Sequence, residues 1–308
     1  MDSLGSTAPT AKRDAANRLA HRLSDAHCRI AASAPAGEEI GFICSPFVRY
    51  TLPHRKPPGH TFERRDGLRV ITFMSPPHIG LPSGKVPRLL LIHLTTQAVR
   101  TRERDIDLCT SMSSLMKLVG ERVTGGAHGT VGRFKDQVLR TISMTATTSL
   151  DTADTSHLQN APMADEFFIS WTALSNDNRS RLPAKIRLGE RIFNEMLTKA
   201  VPIDLRAVRA VRQSPLALDL YNWSTYRMYR MHRLPPGRPV HIPWSGLRQQ
   251  FGSAYKSESD FKAAFRSALK QVQLVYPALR CEARESHFVL HRSPTSVATG
   301  ATRRAAEF

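Results

Sequence analysis

Between Ser257 and Pro277 the chain can fold into little besides one amphipathic helix. Ser257-Glu258-Ser259-Asp260 supplies a hydroxyl cap and first-turn carboxylates, and Pro277 cannot continue the hydrogen-bond ladder. At 3.6 residues per turn, Phe261, Phe265, Ala268, Leu269 and Val272 fall within about 100° of one another. Lys262, Arg266, Lys270 and Gln273 occupy an adjoining stripe about 80° wide. Three cations spaced at i, i+4 and i+8 repel one another unless an anion lies alongside. Such a helix docks through one face and offers the other to a polyanion. The plainer alternative is a solvated surface helix.

The flanking residues supply the rest of a helix-turn-helix. Asp204–Arg212 and Leu216–Met231 read as helices broken at Ser214-Pro215, followed by a strand-like step at Val240-His241-Ile242. Pro243–Phe251 is a short helix ended by Gly252, and Leu279–Glu282 with His287–His291 reads as a hairpin. The run Tyr221-Asn222-Trp223-Ser224-Thr225-Tyr226 invites comparison with a base-stacking platform. Its helical spacing beside Leu216, Leu218 and Leu220 makes a buried aromatic cluster the better reading.

The same order of elements occurs earlier. Short strands are expected at Phe42–Cys44, Val48–Leu52 and Leu68–Phe73, then a turn at Gly80–Lys85 and an apolar helix from Pro87 to about Thr101. A short helix over Asp107–Gly120, a glycine turn at Thr124–Gly129 and a longer helix over Val131–Ser143 follow. Strands at Met144–Leu150 and Phe167–Leu174 flank an acidic loop, 151–166. In the longer helix Val131, Phe134, Val138 and Ile142 share one face, and Arg133, Gln137 and Arg140 share another. Arg and Gln are the side chains that read guanine and adenine edges bidentately. Lys135 lies off that stripe and suits backbone phosphate.

The fold class expected is therefore α+β, with two tandem winged-helix domains, each a helix-turn-helix plus a β-hairpin wing. Residues 1–37 are expected to be a helical or partly disordered N-terminal arm, 38–198 the first domain, 199–295 the second, and 296–308 a disordered tail. In the arm, Ala16, Leu19, Leu23, Ala26 and Ile30 repeat at 3-4 spacing, which suits a helix docked on the body or a dimer contact. Lys256, Arg280 and Arg284 lie where a wing and a turn would hold phosphate.

Charge separates the function classes. Lys and Arg number 44 against 26 Asp and Glu, and the net +18 calls for a polyanion, nucleic acid before an acidic membrane. No apolar run is long enough to span a bilayer, and no secretory leader opens the sequence, so a cytoplasmic protein is expected. The cysteines Cys28, Cys44, Cys109 and Cys281 form no CxxC pair, which speaks against a disulfide framework or a zinc knuckle. Gly80–Val86 has the wrong glycine spacing for a nucleotide loop, and Val86 stands where Ser or Thr must reach magnesium. His287 and His291 share a strand face without a third ligand, as surface histidines on a wing would. No cofactor, metal or catalytic constellation is expected.

With these residues in hand, the chain resembles the plasmid-encoded RepA family of replication initiators from about Phe42 to Pro294. The resemblance is carried by Ser75-Pro76-Pro77-His78-Ile79-Gly80-Leu81-Pro82-Ser83-Gly84-Lys85-Val86-Pro87-Arg88, by Ile106-Asp107-Leu108 with Ser114–Gly120, and by Thr124-Gly125-Gly126. Ser214-Pro215-Leu216-Ala217-Leu218-Asp219-Leu220-Tyr221-Asn222-Trp223 and Asp260-Phe261-Lys262-Ala263-Ala264-Phe265 are similar to it too. It implies a bacterial, plasmid-associated protein that binds double-stranded origin repeats and recruits the host initiator and replicative helicase. It also implies no nucleotide hydrolysis of its own, and autoregulation as a homodimer. The rivals are a dedicated transcriptional repressor using the same helices and a nicking or priming enzyme.

Overall fold

The structure, a computed structural model, describes residues 8–108, 130–152, 154–169, 184–235, 237–252 and 254–298. Its helices are α1 (Ala8–Ala32), α2 (Ser45–Arg49), α3 (Lys85–Thr101), α4 (Thr130–Ile142), α5 (Glu190–Thr198), α6 (Leu205–Val211), α7 (Pro215–His232), α8 (Trp244–Phe251) and α9 (Glu258–Val275). The strands are β1 (Ile40–Cys44), β2 (Thr61–Asp66), β3 (Arg69–Met74), β4 (Asp105–Asp107), β5 (Thr145–Asp151) and β6 (Ser156–Pro162). They continue with β7 (Ala164–Ile169), β8 (Ala184–Leu188), β9 (Ala200–Asp204), β10 (Val240–Pro243), β11 (Cys281–Ala283) and β12 (His287–Leu290).

Short polar side chains start the helices of the second half. Asp204 accepts from the Arg206 amide at 2.8 Å, Ser214 from Ala217 at 3.2 Å and Ser257 from Asp260 at 3.0 Å, each satisfying a donor the helix leaves open. Pro215 sits in the first turn of α7, where its missing N–H costs nothing.

The strands pair antiparallel in the orders β2-β3-β5-β6, β4-β8-β7, β10-β12-β11 and β1-β9. Two of these sheets share a plan. In the second half the chain runs α7, β10, α8, α9, β11, β12, and the last strand lies between the other two. In the first half it runs α3, β4, α4, then β7 and β8, again with the last strand central. Hairpin β5–β6 is inserted between α4 and β7 and extends the β2–β3 sheet.

The halves are joined closely. Strand β1 pairs with β9 from Ile40↔Asp204 to Cys44↔Ala200, and one continuous set of buried side chains runs from Leu23 to Leu290. Across the junction Arg88 of α3 donates to both carboxylate oxygens of Asp219 of α7, each at 2.7 Å. His54 Nε2 lies 2.7 Å from the same carboxylate. Burial alone would raise the Asp219 carboxyl, yet Arg88 and His54 hold it below its ordinary value.

Several expectations are corrected. Val48–Leu52 is not a strand: Val48 and Arg49 close α2, where Pro46 in the first turn favours helix. The acidic loop 151–166 is largely strand, because Ser156–Pro162 pairs with β5 and Ala164–Ile169 pairs with β8. Asp151, Asp165 and Glu166 are exposed on these strands, and Asp154 is exposed in the bend between β5 and β6. The helix expected from Asp107 does not start there, since Asp107 pairs with Lys185 in the β4–β8 ladder; residues 109–129 lie outside the described residues. The strand expected over 167–174 is met from 167 to 169, as the end of β7, and residues 170–174 lie outside the described residues. The α1 stripe seats on its own chain: Leu23 and Ala26 are buried, Arg22 donates to the Ala210 carbonyl at 2.7 Å, and His27 meets the Leu274 carbonyl. Ser296 and Val297, assigned to the tail, are placed too, with Val297 buried against Ile40 and Phe42.

Candidate nucleic-acid interface

Helix α9 is held by an aromatic cluster. Phe261 and Phe265 are fully buried and pack edge-on against Trp244, the first residue of α8, and Phe265 also meets Phe251 and Phe288. Aromatic contacts of this geometry fix both the position and the rotation of the helix. The rotation leaves Arg266, Lys270 and Gln273 exposed along one side. Lys262 is drawn inward, 2.7 Å from Glu258 and over the Trp244 ring, and it holds the Glu258 carboxyl below its ordinary value. Arg266 also lies over Trp244, at 5.7 Å. The Trp244 indole donates to the Arg284 carbonyl at 3.0 Å, so one side chain ties α9 to the β11–β12 hairpin.

That hairpin carries its own charge network. Arg284 pairs with Glu282 at 2.7 Å, His291 approaches the same carboxylate at 3.0 Å, and both keep Glu282 ionised to lower pH. Arg280 is exposed and donates to the Arg292 carbonyl; Lys256 is exposed on the turn before α9. Cys281 is pushed up to about 11 by burial, which makes it a poor nucleophile.

Helix α4 presents its polar face differently. Phe134, Val138 and Ile142 are buried as its stripe requires. Gln137, however, accepts the Ser83 amide at 2.8 Å, and Arg140 bonds Asp136 at 2.8 Å and reaches the Leu81 carbonyl. The expected three-member stripe is thus divided. Arg133 is exposed, while Gln137 and Arg140 hold the 80–83 segment because that segment packs along the same side of the helix. Asp136, which the sequence reading passed over, adds a carboxylate there. Lys135 is half-buried and interacts within the chain.

The family model for plasmid encoded RepA protein matches residues 81–240, just over half of the chain. The chain belongs to that family. The RepA match runs from the segment that Gln137 and Arg140 hold to the start of β10, so it contains α4 and the Arg88–Asp219 junction and stops before α8 and α9. A RepA protein of this kind is a plasmid replication initiator. No curated protein matches the chain in sequence. Among solved structures, the crystal structure of selenomethionine derivatives of domains 2 and 3 of RctB aligns over 79% of this chain and 94% of that one, at 11% identity and a TM-score of 0.50. A second crystal structure of RctB domains 2–3 aligns over 78% and 92% at 12% identity and a TM-score of 0.46. The first shares the fold with this RepA chain.

Two groups were missed from sequence. Trp244 is the pivot between α9 and the β11–β12 hairpin, and its position beside Pro243 at a helix start was its only signal. Arg49, Arg65, Arg227 and Arg230 line one cleft although up to 181 positions separate them in sequence, so no local pattern could bring them together. Among the described residues no three His, Cys, Asp or Glu side chains gather as a metal site would need, and no helix is long and apolar enough to cross a membrane.

Proposed function

We propose that this RepA protein binds specific double-stranded repeats at a plasmid origin through two winged-helix units, and that α9 is its principal reading helix. The observation that carries the reading is the exposed row Arg266, Lys270 and Gln273 on a helix clamped by Trp244 to a β-hairpin. Helix, strand, two helices and a hairpin with the last strand central is the plan in which a third helix enters a major groove. Arg266 and Gln273 suit base edges, while Lys256, Lys262, Lys270, Arg280 and Arg284 suit phosphate.

In the first unit Arg133 is the exposed cation of α4, with Lys135 beside it. Gln137 and Arg140 would reach DNA only by leaving the 80–83 segment. Two reading helices on one face would sit about 34 Å apart, one duplex turn, which supports a site near two turns long. Recruitment of the host initiator and helicase, and repression of its own promoter as a homodimer, follow from the family resemblance.

Selection of bound duplexes from a random pool tests the reading. An enriched motif about two turns long, with log K falling steeply against log salt, is the expected result. Binding without an enriched motif would reduce the +18 to a non-specific surface. Strand opening beside an AT-rich tract then separates an initiator from a dedicated repressor.

A further inference from the structure

The junction between the halves holds a second cationic feature that the reading helices do not use. A cleft of about 540 Å³ is enclosed by α2 and the β2–β3 turn on one side and by α7, α8 and β10 on the other. Five arginines line it, Arg49, Arg64, Arg65, Arg227 and Arg230, against one carboxylate, Asp66. That carboxylate is engaged by Arg49.

Four of the arginines rest on contacts with the fold, while Arg65 is exposed at the edge of β2 with Glu63 3.6 Å away. Arg64 is buried; its guanidinium donates to the Thr51 carbonyl at 3.1 Å and to the Gln249 carbonyl of α8 at 3.2 Å. Burial brings Arg64 down to about 10, although Asp219 favours its charged form. Arg227 lies over the Trp223 ring at 5.6 Å, lowered first by burial and then by Arg230 one turn away. Arg230 lies over Tyr226 at 5.9 Å and is exposed at the mouth. Arg64 and Arg227, partly desolvated beside further cations, cost free energy that an anion at the cleft would recover.

We propose that this cleft binds a phosphate-bearing anion, gripped by Arg65 from the first half and by Arg227 and Arg230 from the second. Guanidinium forks match phosphate oxygens bidentately, and a cleft of this volume between two structural units is the usual setting for a small ligand. The anion would bridge the halves and thereby fix the spacing of α4 and α9. The phosphate has two sources, a free pyrophosphate-type ester or a backbone phosphate of bound duplex.

The test uses the full chain. Pyrophosphate is titrated by calorimetry into the wild-type protein and into Arg230→Gln, Arg65→Gln and Arg266→Gln, and duplex affinity is measured for each. Arg65 and Arg230 are exposed, so neither change disturbs the core, and Arg230→Lys keeps the charge but loses the fork. Pyrophosphate binding weakened tenfold or more by Arg230→Gln and Arg65→Gln, but not by Arg266→Gln, supports the free-ester source. No pyrophosphate binding, with duplex affinity lowered and its salt slope shallower in Arg230→Gln, supports the backbone source. If Arg230→Gln and Arg65→Gln leave both titrations unchanged, the proposal is overturned. Loss of duplex binding in Arg266→Gln alone, with both cleft variants unchanged in both titrations, overturns the cleft and leaves the reading helix standing.

Discussion

Helices α4 and α9 occupy equivalent places in two sheets of the same strand order, yet they show solvent different faces. On α9 the cations at the i, i+4 and i+8 positions stand beside an aromatic dock; Lys262 and Arg266 both lie over Trp244, and Arg266 and Lys270 stay exposed. On α4 the corresponding polar side chains are spent on the protein itself, Gln137 on the Ser83 amide and Arg140 on Asp136 and Leu81. A polar stripe is therefore open to a partner only when no other segment of the chain lies along it. Here the 80–83 segment makes the difference.

The largest expected effect concerns whether the halves can be compared as separate bodies at all. Asp219→Asn leaves Arg88 buried without its counter-charge at the α3–α7 contact. It should cost about 3–5 kcal/mol. Urea denaturation followed by tryptophan fluorescence and by far-UV circular dichroism should show one shared transition moved to lower urea. Two transitions, with only one moved, would mean that α3 and α7 belong to independently folding units.

The comparison of reading faces gives the next effect. Arg266→Ala should weaken binding to the selected duplex by about 1–3 kcal/mol and relax the preference at one base pair. Arg140→Ala should leave duplex affinity nearly unchanged and lower stability instead. A uniform loss across all sequences for Arg266→Ala would assign it to phosphate. A large loss of affinity for Arg140→Ala would return α4 to the rank of an equal partner.

A pH effect comes third and tests the junction from its other side. His93 of α3 faces the pocket shared with Leu205, Val208 and Arg209 of α6, and burial, then Arg100, bring it down to about 4. The unfolded chain binds a proton near pH 6.5 that the folded state refuses until about 4, so stability falls as pH falls through that window. Between pH 7 and pH 5 the loss should be about 2 kcal/mol. His93→Gln should flatten the decline, as measured by urea midpoints at the two values.

Much of this fold was legible because its signals are local. Ser257, Ser214-Pro215 and Gly252 mark helix ends that the structure places within a residue or two, and the buried fate of Tyr221, Trp223 and Tyr226 followed from their spacing. The polar residues 156–162 misled because a strand with an exposed face needs no apolar alternation. What made β6 a strand was its partner β5, a feature of pairing rather than of composition. The site was legible to the same limit. Wheel arithmetic found the exposed row on α9 because its dock is made by its own neighbours; it failed for Gln137 and Arg140 because Ser83 and Leu81 lie more than 50 residues upstream and because Asp136, one turn before Arg140, was left out of the count.

The smallest expected effect would make α4 more like α9. Gly80 has φ +78°, and a Cβ placed on it would come within 2.5 Å of the Arg140 Nη1. Gly80→Ala therefore strains the backbone by about 1 kcal/mol and pushes the guanidinium off the Leu81 carbonyl. The far end of an arginine moves at little cost, so the fold should survive with a slightly lower urea midpoint. Swung outward, Arg140 adds a cation beside Arg133 on the open side of α4. One additional phosphate contact steepens the dependence of log K on log salt by about 0.9. A steeper slope in Gly80→Ala, absent from the double variant Gly80→Ala/Arg140→Gln, would show that α4 lies against the duplex and lacks only the free side chains to read it. An unchanged slope would put α4 away from the DNA and leave α9 to do the reading alone.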